Sequence, residues 1–201
     1  AFSWQNTLQR AAPLMLTALC VAIPQRAGLM VIGGEGALVL GGLGCAGLPY
    51  LFAPPDGLAG TLMVLAAGAL AGAAWIGLVG VLRQFRGVNE TISSLLMGYL
   101  AFGLFKHFVE GPMRDPSSLN KPSTLPLAEG NLLGMMPGYE VHWGLVWGVV
   151  ACVLAGLWLH GTTHGFATRV VGGNARAARL VGLPVPMLVI PACGVGGPCA
   201  G

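Results

Sequence analysis

The chain has 201 residues, 55% of them hydrophobic and only 8% charged, where about 25% charged is usual in a soluble domain. Ten Lys plus Arg against seven Asp plus Glu leave a net charge of +3, and these charges are spread so unevenly that long stretches carry none. Such proportions exclude a soluble domain, a disordered chain, a collagen and a secreted disulfide scaffold, and give no sign of nucleic-acid binding; the 33 Gly and 14 Pro lie within apolar runs, as membrane helices allow.

Residues 11–23 are apolar but short before Pro24, and read as the end of a span or a partly inserted helix. Residues 27–53 are long enough to cross a hydrocarbon core of roughly 30 Å, which takes about 20 residues. Within them lies Gly28-Leu-Met-Val-Ile-Gly-Gly-Glu-Gly36. Gly33, Gly34 and Gly36 each lower helix propensity by roughly 1 kcal/mol relative to Ala. A break there brings backbone groups and the Glu35 carboxylate together inside a bundle, as in many transporters that bind substrate at broken helices. The other reading keeps Glu35 near the interface, snorkelling or paired with Arg26, and both stay open.

Residues 57–82 form a span without a single charge. After Arg83 and Arg86, the stretch Gly87-Val-Asn-Glu-Thr-Ile-Ser-Ser94 opens a span over 91–109, with Asn89 as helix cap and Glu90 favouring the positive end. Asn89-Glu90-Thr91 also spells a glycosylation sequon, on a side where it goes unused. Ser93, Ser94 and Tyr99 are candidates for lining a polar path, against the alternative that they bond their own backbone or a neighbour. Residues 110–140 contain Pro112, Pro116, Pro122, Pro126 and Pro137 and little periodicity, which predicts a structured external loop or a short re-entrant piece.

Residues 141–159 are the next span. Gly68 with Gly72 and Gly144 with Gly148 have the small-residue spacing that lets helices approach closely in lipid, and a compact bundle follows. His160 and His164 stand four apart at the end of this span without an accompanying acid, as interfacial histidines rather than metal ligands. Gly172-Gly-Asn-Ala-Arg-Ala-Ala-Arg-Leu-Val-Gly-Leu183 then predicts a helix of about two turns: Asn174 is its N-cap, Gly182 its left-handed stop, and Pro184 lies just beyond. Arg176 and Arg179 share one face, and Ala177, Ala178, Leu180 and Val181 offer a small apolar surface. Such a helix lies in a partner's groove or on anionic headgroups; the residues alone favour the headgroups. Residues 183–201 open a further span, and the chain is expected to be a piece of a longer protein.

Short cytoplasmic loops retain Lys and Arg. Arg83 and Arg86, and then Arg169, Arg176 and Arg179, therefore face the cytoplasm, with Gln25 and Arg26 inside, the turn 50–57 outside and only Arg10 on the unfavoured side. The five cysteines, Cys20, Cys45, Cys152, Cys193 and Cys199, contain no CxxC pair and read as small buried hydrophobes. There is no G-x-x-x-x-G-K-[ST], H-E-x-x-H or G-x-S-x-G, hence no visible means of hydrolysis, and no order of residues at the start resembling a cleaved signal.

Three of these segments, in this order, resemble the permease subunits of bacterial ABC importers for simple sugars and nucleosides, the branch related to ribose and branched-chain amino acid permeases. Gly28, Leu29, Ile32, Gly33, Glu35 and Gly36 match G-L-x-N-I-G-x-E-G-Q, with Val31 and Ala37 in place of Asn and Gln. Gly87 to Leu95 match G-V-N-E-x-I-S-x-L, with Gly98 where Asn precedes Tyr99 in the family. Gly172, Asn174, Ala177, Ala178 and Gly182 complete G-x-N-x-x-A-A-x-x-x-G. The three replaced polar side chains fall where the resemblance places the translocation path.

The resemblance implies an all-α polytopic membrane bundle with a broken early helix and a short cytoplasmic coupling helix, a single permease domain over 1–201 in the bacterial inner membrane, with an external loop over about 110–140 and a coupling segment over about 160–182. It implies further spans on both sides of this stretch. It reverses the preference for headgroups at the basic helix, which is expected to dock on a separate ATP-binding subunit. Gly172, Asn174, Arg176, Ala177, Ala178, Arg179 and Gly182 are then the ATPase-coupling residues, and Gly33, Gly34, Glu35, Gly36, Ser93 and Tyr99 the substrate-path residues. No cofactor is expected on this chain, since ATP and Mg belong to the partner ATPase. The other expected partners are a second permease subunit, the same or different, an extracytoplasmic solute-binding protein and the lipid bilayer. The rival is an ATP-independent carrier or channel with Glu35 as an ion or proton site; a structural scaffold and an intramembrane enzyme stand behind it.

Overall fold

The computed structural model describes residues 2–52, 54, 55, 57–117, 121–127, 134 and 142–200. Among them are eight helices: α1 (Phe2–Arg26), α2 (Gly34–Leu51), α3 (Leu58–Arg86), α4 (Glu90–Glu110), α5 (Gly144–Gly161), α6 (Thr163–Gly173), α7 (Ala175–Leu180) and α8 (Val185–Ala200). Four stretches, 4–26, 58–86, 90–110 and 144–161, are long and apolar enough to cross a membrane. The chain is thus a polytopic all-helical bundle.

Two spans differ from the sequence expectation. The first helix does not stop at Pro24 but runs from Phe2 to Arg26. Its end is made by Gly28, whose φ of 80° lets Leu29 N donate to Pro24 O at 3.1 Å and Gly28 N to Gln25 O at 3.0 Å, the paired bonds of a Schellman stop. The expected span 27–53 is shorter, because residues 27–33 are not helical and α2 begins only at Gly34. The early helix is therefore broken, with an extended piece between its two parts.

The bundle is held together where side chains are small. α3 packs on α2 and α8, α1 on α5 and α8, and α2 on α4. At Gly197 of α8 a Cβ would overlap the Gly72 carbonyl of α3, and at Gly196 it would stand 2.9 Å from Cys20 O of α1. Gly148 of α5 lies against Ala12 of α1, whereas Gly144 faces open space. Close backbone approach of this kind replaces the hydrophobic drive that lipid does not supply. A buried cluster of Cys20, Ile23, Ile76, Val189 and Cys193 fills the space between α1, α3 and α8, so these two cysteines serve as the small apolar side chains expected of them.

Outside the bundle, Tyr50 at the end of α2 pins the segment after α4. Its hydroxyl donates to Met113 O at 2.9 Å and accepts from Leu125 N at 3.3 Å. Of the segment 110–140, expected to be an external loop, residues 118–120, 128–133 and 135–140 lie outside the described residues. At the other end the segment 160–182 holds α6 ahead of α7, the short helix expected after Asn174. Thr162 ends α5 and caps α6, accepting from Gly165 N at 3.0 Å. His160 and His164 therefore sit on different helices, and the Nδ1 of His160 lies 3.4 Å from Arg169.

Candidate functional site

The break between α1 and α2 is anchored on the first turns of α4. Asn89 caps that helix as expected, accepting from Thr91 N and Ile92 N at 3.0 and 3.4 Å, and Arg83 pairs with Glu90 at 3.1 Å. Thr91 Oγ1 then donates to Met30 O at 3.2 Å, and Ile32 N donates to Ser94 Oγ at 3.1 Å. Gly33 lies so close that a Cβ would overlap the Ser94 carbonyl. The extended piece thus gains partners for a carbonyl and an amide that a helix would have satisfied internally.

A cleft of about 160 Å³ opens beside this anchor, lined by Ile32, Gly33 and Glu35 on one side and Leu95, Gly98, Tyr99 and Phe102 of α4 on the other. At 1.5 Å rise per residue these α4 positions lie roughly 8–18 Å from the start of a helix about 30 Å long, near its middle. Glu35 is exposed there, in the first turn of α2, where the helix dipole favours a carboxylate. Neither an ion pair with Arg26 nor any other hydrogen-bond partner reaches it among the described residues. Tyr99 is 70% exposed.

The structure brings Gly33, Glu35 and Tyr99 together in this cleft and sets the other path candidates behind it. A Cβ on Gly34 would meet Val21 of α1 at 3.3 Å. On Gly36 it would meet Gly98 and Ala101 of α4 at 3.0 and 3.2 Å and the Trp75 indole nitrogen of α3 at 3.3 Å. These two glycines let α2 enter the bundle. Ser93 is buried and donates to Glu90 O at 3.2 Å. Ser94 and Thr91, which hold the extended piece, are the residues the sequence did not mark for that task; their three-residue spacing on one face of α4 is the available signal.

At the basic end of the bundle, α7 is built from local signals. Asn174 accepts from Arg176 N and Ala177 N, both at 3.0 Å. Gly182, with φ 84°, allows Leu183 N to donate to Ala178 O and Gly182 N to Arg179 O, both at 3.0 Å. Ala178 is fully buried, while Leu180 and Val181 are 90% and 80% exposed. Arg176, Ala177 and Arg179 are exposed as well. The helix is seated by one alanine and leaves its two arginines and two large apolar side chains, Leu180 and Val181 at its end, exposed.

Gly172 points the other way. A Cβ there would overlap the Arg26 carbonyl and stand 2.9 Å from Gly28 N, and one on Gly28 would stand 3.1 Å from Gly172 Cα. The end of α6 therefore presses directly on the backbone that leads into the extended piece 27–33. Thus α7, α6, the extended piece and the cleft form one continuous run of contacts.

Comparison with known proteins gives this arrangement its family. The chain is 36% identical over 193 residues to a glucose ABC transporter permease of Haloferax volcanii, covering 90% of this chain and 50% of that one. It is 26% identical over 207 residues to a guanosine ABC transporter permease of Bacillus subtilis, covering 98% and 57%, and 26% over 208 residues to a nucleoside ABC transporter permease of Lactococcus lactis subsp. cremoris, covering 98% and 56%. The chain spans about half the length of these curated relatives. No solved structure matches it. With residues 3–201 matching the family described as the permease component of branched-chain amino acid transport systems, the chain belongs to that family.

Proposed function

We propose that this chain is membrane-spanning permease of an ATP-binding-cassette importer for a small polar solute of the sugar or nucleoside class, placed in the bacterial inner membrane. The relatives' names supply the solute class. The observation that carries the reading is α7: a capped, two-turn helix at the basic end of the bundle that exposes Leu180, Val181 and Arg176 and backs onto the cleft through Gly172 and Gly28. A surface helix that hides one alanine and shows two large apolar side chains suits the groove of a partner. That partner is a separate ATP-binding subunit, which supplies ATP and its Mg. Gly33, Glu35 and Tyr99 line the path, a second permease subunit completes it, and an extracytoplasmic binding protein delivers the solute.

The test is ATP-dependent uptake of nucleosides and pentoses by proteoliposomes holding the full-length chain and all its partners, with Arg176→Glu combined with Leu180→Asp. Uptake and co-purification of the ATP-binding subunit should both fall while the permease stays folded. Unchanged uptake would sink the docking role of α7. Uptake driven by a proton gradient with no ATPase present would instead bring forward a secondary carrier using Glu35.

A further inference from the structure

Behind α7 lies a second cavity, of about 350 Å³, bounded by the end of α3, the end of α6, the start of α8 and the first residues of the extended piece. Its polar side chains are Arg83, Gln84 and Arg179. Arg83 is held by Glu90 at 3.1 Å, whereas Arg179 has no ion-pair or hydrogen-bond partner among the described residues. Two arginines thus line one concavity, and only one of them is paired with a carboxylate. Gly28 and Gly172, whose backbones touch, form part of its wall.

We infer that this cavity binds a phosphate-bearing anion, the headgroup of an anionic phospholipid of the cytoplasmic leaflet. Three features select that ligand. Arg presents a planar fork that matches phosphate oxygens, and Arg179 is free to offer it. The charge bias of the loops puts this end of the bundle at the cytoplasmic surface, where anionic lipids gather. Basic pockets between membrane helices on that side are suited to such headgroups. The wall residues also give the site a consequence, because a headgroup between Arg83 and Arg179 ties α7 to α3 across the Gly28–Gly172 contact. The inference needs the membrane orientation but not the identity of the ATPase.

The experiment measures phosphatidylglycerol retained by the purified full-length chain, by native mass spectrometry, with Arg179→Gln compared with Arg176→Gln. Both variants remove one charge from α7, but only Arg179 borders the cavity. Retention should fall roughly tenfold or more for Arg179→Gln, as expected on losing a charge-assisted contact to phosphate, and much less for Arg176→Gln, which gives up only diffuse attraction to the membrane surface. Equal losses would show diffuse surface attraction, and no loss an empty cavity; either overturns the proposal. Co-purification of the ATP-binding subunit, read on the same samples, separates this outcome from failure of the docking role. Inorganic phosphate in lipid-free detergent is the second probe: Arg179-dependent binding of phosphate without retention of lipid would keep the anion site and assign it to a soluble phosphate ester.

Discussion

Replacing Gly172 by Ala tests the contact between α6 and the extended piece. The added Cβ overlaps the Arg26 carbonyl and stands 2.9 Å from Gly28 N and 3.0 Å from Arg26 C. All three atoms are backbone, so no rotamer change relieves the overlap and the two segments must separate. Overpacking of this kind costs about 1–3 kcal/mol. Against it runs the gain of Ala over Gly within a helix, about 1 kcal/mol. Gly173, the next residue of α6, has nothing within 4 Å of its Cβ position and receives that gain without the clash. The difference between Gly172→Ala and Gly173→Ala therefore isolates the overlap. Taking about 2 kcal/mol, and about 2–4 °C per kcal/mol in a unit of this size, Gly172→Ala should melt roughly 4–8 °C below Gly173→Ala in the same detergent. Equal melting temperatures would refute the close approach, and with it the continuity from α7 to the cleft.

Two further outcomes follow from hydrogen bonds. Ser94→Ala removes the acceptor of Ile32 N; an amide left without its partner loses about 1 kcal/mol, so its hydrogen exchange should quicken roughly fivefold, and an unchanged rate would show that Ser94 does not hold the extended piece. In the segment after α4, Asp115 has its carboxyl held below the ordinary range by the Ser117 hydroxyl and then by the Ser117 amide, which donate at 2.7 and 2.9 Å. Because the folded value is the lower one, the turn is stabilised above the ordinary carboxylate range, and this contribution is lost as pH falls through the lowered value. Ser117→Ala should raise the Asp115 titration seen by carboxyl carbon NMR without restoring it fully, since the amide bond remains; no rise would refute the assignment.

What the sequence made legible is what is local. Asn89, Asn174 and Gly182 act within four residues of themselves, and each cap or stop stands where its residue type predicts it. The end of α1 was missed for a local reason too. Pro24 was read as a terminator, but its missing N–H frees only one carbonyl, that of Cys20 four residues before, and Gly196 of α8 lies against that carbonyl. Gly28 three residues after Gln25 was the better stop signal. The contacts that assemble the cleft were not legible, because Ile32 with Ser94 and Gly28 with Gly172 join residues far apart in the chain, and a glycine in a motif does not say which backbone it admits.

The same contacts decide what the three replaced polar positions do. Gly98 stands where the resemblance noted in the sequence leads to an expectation of Asn, and its Cα lies 3.0 Å from where a Gly36 Cβ would be. An Asn side chain at 98 would project from the α4 wall that Leu95, Tyr99 and Phe102 share, whereas glycine leaves that wall with one hydroxyl and otherwise apolar groups. Ala37 is fully buried and Val31 is 1% exposed, so neither position opens on the cleft, and a Gln or Asn at either would need a partner inside the bundle. In the proposed reading, then, only one of the three replacements bears on the solute directly. Among the described residues, the polar side chains that line the cleft are Glu35 and Tyr99, and its remaining lining is glycine backbone and hydrocarbon.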